Sequence, residues 1–183
     1  KLAEVLLTNG SSQLLVATRN GMSIRFSETD VRNMGRTACG VHAVRLNPGD
    51  TVTGMVIVTP GDKILTVSER GNGRRTSEDK YRLQSRGGKG IINYHTDKNG
   101  KVAGIKIAHD DQDVIMISAN GVIIRIPADQ INLYSRSSKG VRVMRLADDD
   151  ELVTLSCVDH DEAEVNAEVE ELPDDPDNKQ EDE

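Results

Sequence analysis

Arg36, Arg86 and Arg136 stand 50 residues apart, each in a run of small and polar residues that ends on a glycine at position 40, 90 or 140. The first run is Arg32-Asn33-Met34-Gly35-Arg36-Thr37-Ala38-Cys39-Gly40. The second is Arg82-Leu83-Gln84-Ser85-Arg86-Gly87-Gly88-Lys89-Gly90, and the third is Asn132-Leu133-Tyr134-Ser135-Arg136-Ser137-Ser138-Lys139-Gly140, with Arg142 just beyond. Small residues let a backbone come close to a ligand, and free N–H groups in a Gly/Ser-rich turn can point at an anion. Arg86 with Lys89, and Arg136 with Lys139, bracket that turn with positive charge. The chemistry this suits is phosphate binding, and one cationic loop per repeat fits a polyanion better than a small ligand. Phosphate contacts hold a nucleic acid without reading its sequence. The candidate DNA-binding set is therefore Arg32, Arg36, Arg82, Arg86, Gly87, Gly88, Lys89, Arg136, Lys139 and Arg142, with Arg74 and Arg75 extending the basic rim. Arg25, Arg75 and Arg125 fall within strands, where a blade-surface residue or a structural ion pair is the plainer reading.

Other chemistries find little support. Gly87-Gly88-Lys89 lacks the spacing and the following Ser/Thr of a nucleotide-binding P-loop. His42, His95, His109 and His160 show no metal-ligand spacing, and no nucleophile–base pair stands out, so no catalytic centre is expected. Cys39 and Cys157 have no partner pattern and read as two reduced thiols. No apolar run reaches the 18 residues of a membrane span.

The elements that carry these loops repeat with them. Gly21, Gly71 and Gly121 align at the same period, as do Arg25, Arg75 and Arg125, and Val52, Val102 and Leu152. Each unit reads as four strands, in the third copy Val102–Ala108, Asp113–Ser118, Val122–Ile126 and Val141–Leu146. Asn20-Gly21 and Asn120-Gly121 are signals for two-residue type I′ hairpins. The long connection opens with a helical turn at 27–30, 77–80 and 127–130. Four strands in 40–50 residues is the signature of a propeller blade. A β-sandwich is the bland alternative, but repeated identities at a fixed period favour radial blades. The expected fold is all-β, with three four-stranded blades over 1–50, 51–100 and 101–150 and a last strand over 151–158. Three blades do not close a ring, and Leu2–Thr8 already reads as a strand, so the chain is expected to be part of a larger propeller.

Charge divides the chain in two. The formal total is −7, yet Asp159 to Glu183 holds 13 acidic residues and one basic, leaving residues 1–158 at +5. The tail is expected to be disordered, being acidic and poor in apolar residues. It could add solubility or compete with DNA for the basic loops. With only Phe26, Tyr81, Tyr94 and Tyr134 as aromatics, the core must be aliphatic and thin-layered.

Gln84-Ser85-Arg86-Gly87-Gly88-Lys89-Gly90 resembles the Q-R-R-G-G-K-G box in the C-terminal domain of the bacterial gyrase A protein, with Ser85 at the second position in place of Arg. Met34-Gly35-Arg36-Thr37-Ala38-Cys39-Gly40-Val41 is similar to a degenerate version on another blade of that family. The resemblance covers residues 1 to about 158, and the acidic tail is typical too. It implies a six-bladed β-pinwheel, whose blades exchange strands, of which this chain supplies the last three. It further implies double-stranded DNA as a partner, wrapped to guide ATP-dependent negative supercoiling by a type II topoisomerase. The rest of gyrase A, together with gyrase B, would complete an A2B2 assembly in the cytoplasm, associated with the nucleoid and not with a membrane. The catalytic tyrosine, ATP and Mg belong to other parts of that assembly, so no cofactor is expected in this chain. A C-terminal domain of the related topoisomerase IV and a protein-interaction propeller with a basic rim are the alternatives.

Overall fold

Eleven strands, three single-turn 3-10 helices and long connections make up residues 2–160, the part described by the computed structural model. Of the acidic tail expected over 159–183, Asp159 instead ends the last strand, paired with Gln112, and the part beyond residue 160 lies outside the described residues. The strands are β1 (Gln13–Thr18), β2 (Met22–Ser27), β3 (Val52–Val58), β4 (Lys63–Ser68), β5 (Asn72–Ser77), β6 (Ile91–Ile92), β7 (Val102–Ile107), β8 (Gln112–Ser118), β9 (Ile123–Pro127), β10 (Val141–Arg142) and β11 (Leu152–Asp159). β1 and β4 bury nearly every residue, because both of their faces are covered. That explains their continuous apolar runs in place of the alternation of a half-exposed strand.

Each hairpin closes through a three-residue loop. The pairs Ala17↔Ser23, Val67↔Gly73 and Ile117↔Ile123 centre the turns on residues 20, 70 and 120. The N–H of Gly21 donates to Thr18 O (3.0 Å), that of Gly71 to Ser68 O (2.9 Å) and that of Gly121 to Ser118 O (3.1 Å). Glycine therefore ends the turn, with φ of 85°, 73° and 84°, and the two-residue type I′ register expected at Asn20-Gly21 does not form. The hydroxyls of Thr18, Ser68 and Ser118 accept the N–H four residues on, at 3.1–3.2 Å, which fixes this register.

Strand exchange organises the sheets. The first has the order β3-β1-β2-β6 and the second β10-β5-β4-β7, so β6 and β10 leave the repeat that encodes them and pair with the preceding hairpin. The third sheet is β11-β8-β9, and β9 has no fourth strand beside it among the described residues. The fourth strand expected over Val141–Leu146 shrinks to two residues in the neighbouring sheet. Leu2–Thr8, expected as a strand, joins no sheet among the described residues and leaves Leu2, Val5 and Leu7 exposed.

The core is thin-layered, as the composition implies. One apolar cluster joins the first two sheets through Leu15, Val56, Ile64, Tyr81, Tyr94 and Ile105. Another joins the second and third through Leu65, Val67, Val114, Met116, Met144 and Leu155. A third, around Leu14, Ile24, Phe26 and Val44, backs the first sheet. The second and third basic loops each run from a 3-10 turn to an exchanged strand, β6 or β10.

Candidate nucleic-acid interface

The second and third basic loops are each seated on the repeat before them. The loop of the second repeat begins where the Gln84 N–H donates to Arg25 O (2.8 Å), and that of the third where the Tyr134 N–H donates to Arg75 O (2.9 Å). The guanidinium groups of the same strand arginines reach the other way. Arg25 donates to Glu78 O (2.8 Å) and Tyr81 O (3.1 Å), and Arg75 to Ile131 O (2.7 Å) and Asp129 O (3.4 Å), tying down each 3-10 turn that leads into a loop. Arg75 also pairs with Asp110 at 2.5 Å, and Arg125 with Asp113 at 2.7 Å. The structural reading of these strand arginines holds.

The loop arginines are clasps as well as surface charges. Arg86 donates to Asp30 O (2.9 Å) and His42 O (3.2 Å), while Arg136 donates to Lys80 O (3.0 Å) and to Ile92 O. Both stay partly exposed, so a guanidinium edge remains to meet an anion. Loop exits are fixed by glycine. A Cβ on Gly90 (φ 77°) would lie 2.1 Å from Ser23 O, and one on Gly140 (φ 74°) 2.2 Å from Gly73 O. These two glycines serve contact between repeats. Gly87 (φ 79°) and Gly88 meet only ordinary contacts at 3.5–3.6 Å, so they can still admit a ligand.

Arg74 and Arg75 do not belong to the exposed surface. Arg74 is fully buried and Arg75 is 3% exposed, and their guanidinium groups are spent on backbone carbonyls and, for Arg75, on Asp110. Arg74 donates to Ser138 O (2.9 Å), Arg136 O (2.6 Å) and Asn93 O, and its guanidinium lies 5.4 Å from the centre of the Tyr94 ring. Burial lowers the Arg74 pKa from its ordinary value, and burial raises those of Tyr81 and Tyr94. Around this cation the Tyr81 OH donates to Asn93 Oδ1 (2.7 Å), the Asn93 amide donates to Thr66 Oγ1 (3.3 Å), and the Tyr94 OH donates to Lys139 O (2.8 Å).

Arg32, Arg36, Arg82, Lys89, Lys139 and Arg142 are exposed. The repeat thus carries outward cations in all three loops, in a body of net positive charge. Arg45 and Arg145 are exposed too, and the Arg45 N–H donates to Gly88 O (2.8 Å), so Arg45 stands beside the second loop. Sequence reasoning missed this pair, although the 50-residue register connects the two positions. Among the described residues no group of His, Cys, Asp and Glu could hold a metal ion, and no helix is long and apolar enough to cross a membrane.

Three segments, residues 12–59, 62–109 and 112–159, match the family described as DNA gyrase C-terminal domain, beta-propeller, and together they span more than half of the chain. The chain belongs to that family. Each matched segment takes in the three longer strands of one sheet, so its bounds follow the sheets and not the 1–50, 51–100 and 101–150 units of the sequence repeat. Curated relatives include the DNA gyrase A protein of Haloquadratum walsbyi, 45% identical over 58 residues (32% of this chain, 7% of the relative), and that of Halalkalibacterium halodurans, 59% identical over 44 residues (24% and 5%). The chain thus spans less than a tenth of each of these relatives in the matched region. Among solved structures, a DNA gyrase A C-terminal domain superposes with a TM-score of 0.74 at 26% identity, covering 80% of this chain and 50% of that one. The C-terminal domain of DNA topoisomerase IV gives 0.80 at 23% identity, with 85% and 49% covered, a likeness of fold alone.

Proposed function

We propose that the chain binds duplex DNA through its phosphates, without sequence preference, using the exposed cations of its three basic loops. Residues 1–158 would form the DNA-holding body and 159–183 a separate acidic segment. The observation that carries this reading is the recurrence, at one register, of loops whose Lys89, Lys139 and Arg36 side chains are exposed while the surrounding backbone is fixed. Phosphate contacts need donors in fixed places rather than base-specific pairs. In a longer gyrase A protein, such a surface would wrap DNA and guide it for ATP-dependent negative supercoiling, with gyrase B completing an A2B2 assembly in the cytoplasm. The chemistry of strand passage, with its ATP and Mg, would then belong to those other segments.

The test is duplex binding against salt. Each phosphate contact contributes about 0.9 to the log–log slope, so Lys89→Ala with Lys139→Ala should flatten it by roughly 1.8 and weaken affinity at low salt. Wild-type affinity and slope retained by that double variant would overturn the reading. Truncation after Val158 asks whether the acidic segment competes with DNA, in which case affinity rises at low salt.

A further inference from the structure

We infer that the third loop, Arg136–Gly140, holds the strongest phosphate seat of the three, and that the buried Arg74 is the positioning residue that turns its amides outward. The inference rests on the DNA-binding reading above and names the part of the surface that matters most.

Among the described residues Arg74 has no carboxylate partner; its carbonyl acceptors are neutral, and the Tyr81 hydroxyl beside it is uncharged too. A buried charge without an opposite charge is costly unless something compensates it. Two of those carbonyls, Arg136 O and Ser138 O, belong to the third loop, and a third loop carbonyl, Lys139 O, accepts from the Tyr94 OH. Every peptide bond among the described residues is trans, so an N–H points away from the C=O of its own peptide unit. Drawing Arg136 O and Ser138 O inward therefore directs the N–H groups of Ser137 and Lys139 outward. Neither donates within the described residues, whereas the Ser138 N–H is used by Ser135 O (3.0 Å) and the Gly140 N–H by Ser138 Oγ (3.1 Å). Two outward amides beside the Lys139 ammonium and the Arg136 guanidinium form a concavity suited to one phosphate. An anion seated there also supplies the opposite charge that Arg74 lacks.

The second loop is built differently, although it is the one that resembles the gyrase box. Ile24 stands where Arg74 stands one repeat later, and Val44 where Tyr94 stands. The Gly87 N–H is spent on Ala43 O (2.7 Å) and Gly88 O is held by the Arg45 N–H; the Gly88 and Lys89 N–H groups donate to nothing among the described residues, but no buried arginine draws the carbonyls of this loop inward to aim them. In the first loop the turn from Gly35 O to the Ala38 N–H (3.1 Å) stands alone, and Gly40 meets no neighbour within 4 Å.

The experiment uses the full chain and a fluorescent random-sequence duplex, titrated across salt. Lys139→Ala should weaken binding about tenfold, the scale of one charge-assisted contact, and Lys89→Ala less. In an Arg74→Met background the effect of Lys139→Ala should shrink while that of Lys89→Ala persists, and Arg74→Lys should retain more affinity than Arg74→Met at matched melting temperature. Equal effects of the two lysines, or strict additivity of Arg74→Met with Lys139→Ala, overturn the inference. Amide hydrogen exchange, which needs no DNA, should rise at 136–140 in Arg74→Met with β4 and β5 still protected; unchanged exchange there overturns the positioning role. If the wild type shows no salt-dependent duplex binding, the functional reading fails, and titration with inorganic phosphate decides the seat alone. Shifts of the Ser137 and Lys139 amide resonances support it and their absence overturns it. Should Arg74→Met not fold, the lysine comparison and the phosphate titration stand without it.

Discussion

Glycines at equivalent positions are not equivalent in consequence. Gly90→Ala and Gly140→Ala would drive a methyl group against Ser23 O and Gly73 O, while Gly40→Ala meets open space and bears only the left-handed backbone strain. Gly40→Ala should cost about 1–2 kcal/mol, and the other two distinctly more, as ranked by urea midpoints. Burial pushes the Cys157 thiol up to about 11, whereas Cys39 is exposed. A thiol reagent at pH 8 should therefore modify Cys39 quickly and Cys157 only on unfolding, because the thiolate is the reactive form. Asp110 is held below the ordinary carboxylate range by hydrogen bonds from Lys63 and then from Arg75. A folded pKa lowered in this way adds stability above the unfolded value near ~3.9 and loses it as pH falls through the folded value. Asp110→Asn should therefore remove part of the acid-limb dependence of the melting temperature below about pH 4. At this scale the repeated arginines were legible, but their division into buried and exposed was not. Charge and spacing treat Arg74 like Lys139, and only the carbonyls that converge on Arg74 set it apart.

Strands show which parts of a repeat act alone and which need a neighbour. The hairpins β1–β2, β4–β5 and β8–β9 were readable from aliphatic runs around a glycine, since both strands and their turn are adjacent in sequence. Their register was not, because Asn-Gly fits the centre of a two-residue turn while Thr18, Ser68 and Ser118 favour the three-residue loop by accepting from residue 22, 72 or 122. The exchanged strands β6 and β10 pair over only two residues, so tertiary contacts must hold them. After β6, Asn93 supplies such contacts through Tyr81, Thr66 and Arg74. Asn93→Ala should cost about 1–3 kcal/mol, the penalty for stranding buried partners, and calorimetry would measure it. Loss of protection in hydrogen exchange should concentrate in the second sheet.

Stability across the whole molecule is shared between neighbouring layers. Met116→Ala empties a buried site between the second and third sheets and should cost about 2–5 kcal/mol in denaturant unfolding. Because repeat units interact mainly with their nearest neighbours, the accompanying rise in hydrogen exchange should centre on β7 to β11 and largely spare β1 and β2. A uniform rise would show one cooperative unit instead. The sequence by itself determined the all-β class, the 50-residue repeat, the placement of a basic loop in each unit and the positive charge of the body, since all of these are local patterns or sums. The family resemblance already implied that blades exchange strands; only the tertiary structure decided that the exchanged strands are β6 and β10 and pair over two residues, that Arg86 and Arg136 also clasp the blade before them, and that Arg74 lies beneath the third loop. Those outcomes depend on backbone carbonyls brought together from residues 44 to 64 positions apart. A side-chain pattern carries no trace of where such carbonyls will converge.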